Sequence, residues 1–242
     1  MTVSARERLI FPLDVPDRVT ARGYVEKLRE EVGLFKVGLE LFLAAGAGVL
    51  QDLAELAGLD RVFLDLKLYD IPATVLGAIK TFAPGIALIT VPSDLGPTGL
   101  KKIVAAAGRA HKILAVTVLT STPPDDLLVL GYDPRYAADP TELVLLRARM
   151  AKAAGCHGVV CSGRDVKAVK EKCGPDFLTV CPGIRPAWAQ VSGDDQSRIV
   201  TPEEAIRNGA DYLVVGRPLR QAPDPAAAAR RVVAEMAAAL GG

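Results

Sequence analysis

The apolar positions of this chain fall into short β-branched or aliphatic runs, separated by longer stretches with helical spacing. That is the pattern of repeated βα units around a parallel sheet. Eight runs read as strands, at residues 9–13, 34–37, 61–66, 87–91, 113–119, 158–161, 177–180 and 212–215. Helical spacing covers stretches that include 17–31, 72–82, 99–107, 142–154, 164–172 and 202–208. An alanine-rich segment, 226–240, reads as a last helix closing the ring. Thr201 followed by Pro202 has the form of an N-cap and a proline at the first helical position. No linker, composition break or plain repeat divides the chain. Eight strands and their helices within 242 residues predict an α/β fold, the (β/α)8 or TIM barrel, as a single domain spanning 1–242. A doubly wound sheet is the runner-up, but Leu13-Asp-Val-Pro-Asp-Arg18 follows the first strand where Gly-x-Gly-x-x-Gly would be expected.

Barrel sites gather at the C-terminal ends of the strands. Polar residues collect there: Asp14 after strand one, Lys36 on strand two, Asp65 and Lys67 on strand three, and Thr120 after strand five. Arg185 follows strand seven, and Gly216 and Arg217 follow strand eight. The densest charge lies in Phe63-Leu-Asp65-Leu-Lys67-Leu-Tyr-Asp70-Ile-Pro72. In an extended strand Asp65 and Lys67 project to one face, Leu64 and Leu66 to the other. Pro72 breaks the strand and suits the first turn of a helix, which puts Asp70 at the hand-over. An isolated Asp-x-Lys reads most simply as a surface ion pair. Here the third charge, the proline and the apolar flank favour pairing or chemistry, because charge on an apolar strand is otherwise costly. Gly216-Arg217 suits a phosphate, through close backbone amides and a forked guanidinium, or is an ordinary turn. After Pro182-Gly-Ile-Arg185-Pro186, a long polar loop over 187–198 is either a candidate lid or a plain excursion.

Composition narrows the choices. Half the residues are hydrophobic, enough for a large core. Twenty-nine Lys and Arg against 28 Asp and Glu leave a net charge of +1, so no footprint for nucleic acid or an anionic membrane is visible. The apolar runs are shorter than the ~20 residues of a spanning helix. Met1 to Arg8 carries charge without a signal-peptide core, so a soluble cytoplasmic protein is expected. Cys156, Cys161, Cys173 and Cys181 lack C-x-x-C spacing and are expected to be reduced, mostly buried thiols. The two histidines, His111 and His157, abut strands away from their C-terminal ends. Neither histidine catalysis nor a multi-histidine metal site is expected. Chemistry is left to lysine, aspartate and arginine.

Taken in order, residues 35–42, 63–72 with Thr74, 116–121, 158–162, 182–186, Asp195-Gln196 and 211–218 resemble the orotidine 5′-phosphate decarboxylase family over nearly the whole chain. Asp-x-Lys-x-x-Asp alone is shared with other enzymes of that barrel superfamily; Asp-Ile-Pro, Pro-Gly-Ile-Arg-Pro and Val-Gly-Arg-Pro make the likeness specific. The resemblance implies decarboxylation of orotidine 5′-monophosphate to UMP in de novo pyrimidine synthesis, with no metal or organic cofactor. It implies a charge network of Lys36, Asp65, Lys67 and Asp70, with Lys67 protonating C6 and Asp70 coming from the partner of a homodimer. Asp14 and Lys36 would meet the ribose, with Thr74 reaching across from the partner, and Thr120 would face the pyrimidine. Asp65 would lie near the departing carboxylate. Arg185, Gly216 and Arg217 would hold the phosphate, and Gln196 would bridge phosphate and base. The chain departs from the family pattern at Val91-Pro92-Ser93-Asp94-Leu95-Gly96, where a His-Ala-x-Gly-Gly-like turn is usual, and at Phe11-Pro12-Leu13 and Ala73. A Mg²⁺-dependent sugar-phosphate decarboxylase and a silent nucleotide-binding module stand as rival readings.

Overall fold

In the computed structural model, which describes residues 3–82, 84–189 and 198–241, eight parallel strands pair in chain order. They are β1 (Leu9–Pro12), β2 (Leu34–Gly38), β3 (Val62–Asp65), β4 (Leu88–Pro92), β5 (Lys112–Val116), β6 (Gly158–Val160), β7 (Leu178–Cys181) and β8 (Tyr212–Val214). Leu9 and Ile10 of β1 pair with Leu213 and Val214 of β8, which closes the barrel. Helix α1 (Ala5–Arg8) precedes it, and α2 (Arg18–Leu28) follows β1. Helices α3 (Leu39–Ala45) and α4 (Gly48–Leu56) follow β2, α5 (Pro72–Thr81) follows β3, and α6 (Gly96–Ala107) follows β4. Between β5 and β6 lie α7 (Pro124–Val129), α8 (Pro134–Ala138) and α9 (Pro140–Ala153). Helix α10 (Val166–Cys173) follows β6, α11 (Pro202–Arg207) precedes β8, and α12 (Arg217–Arg220) and α13 (Pro225–Gly241) follow it. The expected (β/α)8 barrel is therefore the fold, and the doubly wound alternative is excluded by closure.

Strand periodicity places the site. Ile10, Leu34, Phe63, Leu88, Leu114, Val180 and Val214 form a separate apolar cluster inside the barrel. Two residues further along each strand, the same face presents Pro12, Lys36, Asp65, Thr90, Val116, Pro182 and Gly216. The dry layer thus forms a floor, and the next inward layer forms the mouth. Alternate residues such as Phe11, Val37 and Leu64 point outward into the large core beneath the helices. Phe11 meets Tyr24 of α2 there, with ring centroids 5.2 Å apart. All four cysteines are buried and free, as expected of structural thiols. Burial pushes the Cys156 thiol up to about 12. No helix among the described residues is long and apolar enough to cross a membrane.

Five strands end before the apolar pattern does, by one residue at β1, β3, β6 and β8 and by three at β5. The run 61–66 leaves the sheet at Asp65, and 113–119 leaves it at Val116. At Lys67 the backbone turns, with φ +48°, while just past β5 the Thr117 N–H and hydroxyl still donate to Val160 O, at 3.1 and 2.8 Å. Apolar content continues past each strand because the rim residues are themselves packed, as with Leu66 and Val118.

Candidate active site

Four side chains at the mouth alternate in charge. Lys36 Nζ lies 3.1 Å from Asp14 Oδ1 and 3.5 Å from Asp65 Oδ2, and Lys67 Nζ lies 2.9 Å from Asp65 Oδ1. The register explains the grouping, since β1 pairs Pro12 with Lys36 and β2 pairs Gly38 with Asp65. Space at Gly38 is tight: a Cβ there would sit 2.9 Å from Nζ, the mobile end of Lys36, and 3.2 Å from Asp14 Oδ1. The Lys36 and Asp65 side chains are only 12% and 13% exposed, whereas Lys67 is 35% and Asp14 42% exposed. The inner pair neutralises itself, and the outer pair faces solvent or a ligand.

Asp65 and Lys67 meet for a different reason from the one strand alternation gives. Lys67 lies beyond β3 in the left-handed region, which disfavours a residue with a Cβ. Its N–H donates to Thr90 Oγ1 at 3.0 Å, and that hydroxyl donates to Asp65 Oδ1 at 2.9 Å. Thr90 is fully buried on β4 and so fixes both the carboxylate and the turn that carries the ammonium. Burial pushes the Asp65 carboxyl up, but Lys36, Lys67 and the two hydrogen bonds outweigh it and hold the group below the usual carboxylate range. The site therefore keeps a buried anion between two ammonium groups.

These residues line one wall of a cavity of about 620 Å³, a size suited to a nucleotide-scale ligand. Thr120, Arg185, Gly216 and Arg217 line it as well, with the apolar side chains of Val116, Val160 and Val214. Arg185 Nη1 donates to Ile184 O at 2.9 Å, and its N–H donates to Val200 O at 2.9 Å, which ties the end of β7 to the segment before α11. Gly216 packs where a Cβ would lie 2.9 Å from Pro12 Cγ. Charge is thus divided, with the alternating row on the β1–β3 side and arginines at β7 and β8. Asp70 and Thr74 are exposed and do not line the cavity of their own chain; Asp70 Oδ1 accepts from the Ile71 N–H at 2.6 Å. Gln196 lies outside the described residues, as does most of the loop containing it.

The unusual turn after β4 is held by a compensating network. Arg147 of α9 donates to Asp94, to Tyr132 and to Thr117 O, and the Tyr132 hydroxyl donates to Asp94 Oδ1 at 3.2 Å. Two residues of the site escaped the sequence reading, one supporting the charged row and one lining the cavity. Thr90 occupies the inward position two beyond Leu88, so the period of two could have found it. Arg220 lies one turn after Arg217 and lines the cavity. Among the described residues, no three His, Cys, Asp or Glu side chains converge as metal ligands would.

Fold and site together define a (β/α)8-barrel protein with a mixed-charge, ligand-sized mouth. Residues 7–232 match the family model described as the Orotidine 5'-phosphate decarboxylase / HUMPS family, and the chain belongs to that family. It is 47% identical over 240 residues to the orotidine 5'-phosphate decarboxylase of Desulfosudis oleivorans, covering 97% of this chain and 95% of the relative. Identity to that of Anaeromyxobacter sp. (strain K) is 48% over 229 residues, covering 94% and 97%. The crystal structure of orotidine 5'-phosphate decarboxylase from Lactobacillus acidophilus superposes with a TM-score of 0.76 at 36% identity, covering 94% of this chain and 98% of that one.

Proposed function

We propose that this protein decarboxylates orotidine 5′-monophosphate to UMP without a metal or organic cofactor, as a cytoplasmic homodimer in which the whole chain serves as one catalytic barrel. The observation that carries the reading is the row Asp14–Lys36–Asp65–Lys67, with Asp65 kept anionic and Lys67 at its open end. Loss of CO2 leaves an electron pair at C6 that no neighbouring group delocalises well. A fixed ammonium at that carbon stabilises the developing charge and then delivers a proton, and Lys67 is assigned that step. Asp65 lies near the leaving carboxylate, Asp14 and Lys36 take the ribose, and Thr120 faces the base. Arg185, Gly216 and Arg217 hold the phosphate, whose binding energy positions the reacting carbon, and Gln196 bridges phosphate and base.

Asp70 and Thr74 are assigned to the partner's site. In support, neither lines the cavity of its own chain, and Asp70 is flanked by Tyr69 and Ile71, apolar side chains 68% and 66% exposed. The test is direct: chelator-treated protein is mixed with orotidine 5′-monophosphate, and UMP is followed by chromatography. UMP formation at an unchanged rate is expected. A rate abolished by chelator would favour the Mg²⁺-dependent rival, and tight UMP binding without CO2 release would favour a silent binding module.

A further inference from the structure

Arg220 lines the cavity but has none of the roles assigned above. It ends α12 three residues after Arg217, and residues three apart lie on one helix face. Its N–H donates to Gly216 O at 2.9 Å, while Nη1 donates to the backbone carbonyl of Asp14. That carbonyl lies beyond the sheet ladder, in which β1 and β8 last meet where the Val215 N–H donates to Ile10 O at 3.0 Å. On the other side, the Leu13 N–H donates to Lys36 O at 2.8 Å. Arg220 therefore ties the ribose-side end of β1 to the phosphate-side end of β8. A guanidinium has five donors in a rigid fork. Anchoring one of them on Asp14 O restrains the group and leaves other donors for an anion in the cavity that Arg185 and Arg217 also line.

We propose that Arg220 is a specificity-determining residue for the substrate's 5′-phosphate, held in place by the Asp14 carbonyl as the third guanidinium of the phosphate end. The proposal rests on the reading of the cavity as a nucleoside 5′-phosphate site. Its test compares wild type, Arg220→Met and Arg220→Lys on orotidine 5′-monophosphate and on orotidine, the same nucleoside without phosphate. Arg220→Met is expected to lower kcat/KM on the nucleotide about 10- to 100-fold, mostly through KM, and to change orotidine turnover less than about threefold. Arg220→Lys should recover part of the loss. Equal losses on both substrates would reduce Arg220 to a prop for Asp14, and unchanged nucleotide kinetics would remove it from the site; either overturns the proposal. Calorimetry with UMP and uridine separates this failure from that of the underlying activity. In a wild type without turnover, UMP binding that still weakens in Arg220→Met leaves the phosphate contact standing, whereas UMP binding indifferent to Arg220 ends it. If Arg220→Met does not fold, Arg220→Gln takes its place in both comparisons.

Discussion

At the scale of single residues, each charge of the row Asp14–Lys36–Asp65–Lys67 meets an opposite one within 3.5 Å. Asp14, Lys36, Asp65 and Lys67 stand out because charge at the end of an apolar run demands a partner. Thr90 does not stand out, since one threonine in Leu88–Pro92 reads as an ordinary strand residue. Its hydroxyl nevertheless holds both Asp65 and the Lys67 turn. Thr90→Val, nearly isosteric, is expected to lower kcat about 10- to 100-fold with little change in KM and to cost about 1–3 kcal/mol of stability, read from paired kinetics and urea melts. Wild-type kcat would show that the turn holds itself. The left-handed backbone of Lys67 was equally invisible, because nothing in Asp-Leu-Lys-Leu announces it. Lys67→Gly should unfold at higher denaturant than Lys67→Ala, by about 1 kcal/mol, although both lose the ammonium.

The same network sets a pH dependence. Asp65 titrates lower in the folded protein than in the unfolded chain, so its ionised form stabilises the fold above the ordinary carboxylate range near 3.9. That contribution disappears as pH falls through the depressed folded value. Asp65→Asn should therefore lose Tm less steeply than wild type as pH drops from about 5 to 3. Parallel curves would mean that Asp65 titrates alike in both states.

At the scale of elements, alternation did most of the work. Eight apolar runs became eight strands, and a period of two put a floor below and a polar layer above, from Ile10 and Pro12 to Val214 and Gly216. The pattern could not show where β3 and β5 stop, because Leu66 and Val118 stay buried after the sheet has ended. It also could not show how the altered turn after β4 is held, since Arg147 and Tyr132 come from a distant connection. Gly38 offers an element-scale test. Its backbone suits any residue, and the obstacle to a Cβ is the mobile end of Lys36 beside Asp14. Gly38→Ala should keep Tm within about 3 °C of wild type while lowering kcat/KM about 10- to 100-fold, since small displacements of reacting groups are expensive. Unaltered kinetics would show that Lys36 tolerates displacement.

At the scale of the whole molecule, one chain supplies a barrel and a cavity with a charged row, and Asp70 and Thr74 are proposed to serve the site of a second copy. Mixing decides this. When Lys67→Ala and Asp70→Ala proteins are co-refolded, each heterodimer should contain one intact composite site and one doubly altered site. Activity should rise to about a quarter of wild type if statistical pairing holds. No recovery would place Asp70 in its own chain's site or outside catalysis altogether. The central claim, that the ammonium at the open end of the charged row protonates the carbon that loses CO2, is tested most directly by single-turnover decarboxylation of orotidine 5′-monophosphate with Lys67→Ala. Loss of turnover to background, with UMP affinity within about tenfold of wild type, is the predicted result. A variant that still releases CO2 at the wild-type rate would contradict it.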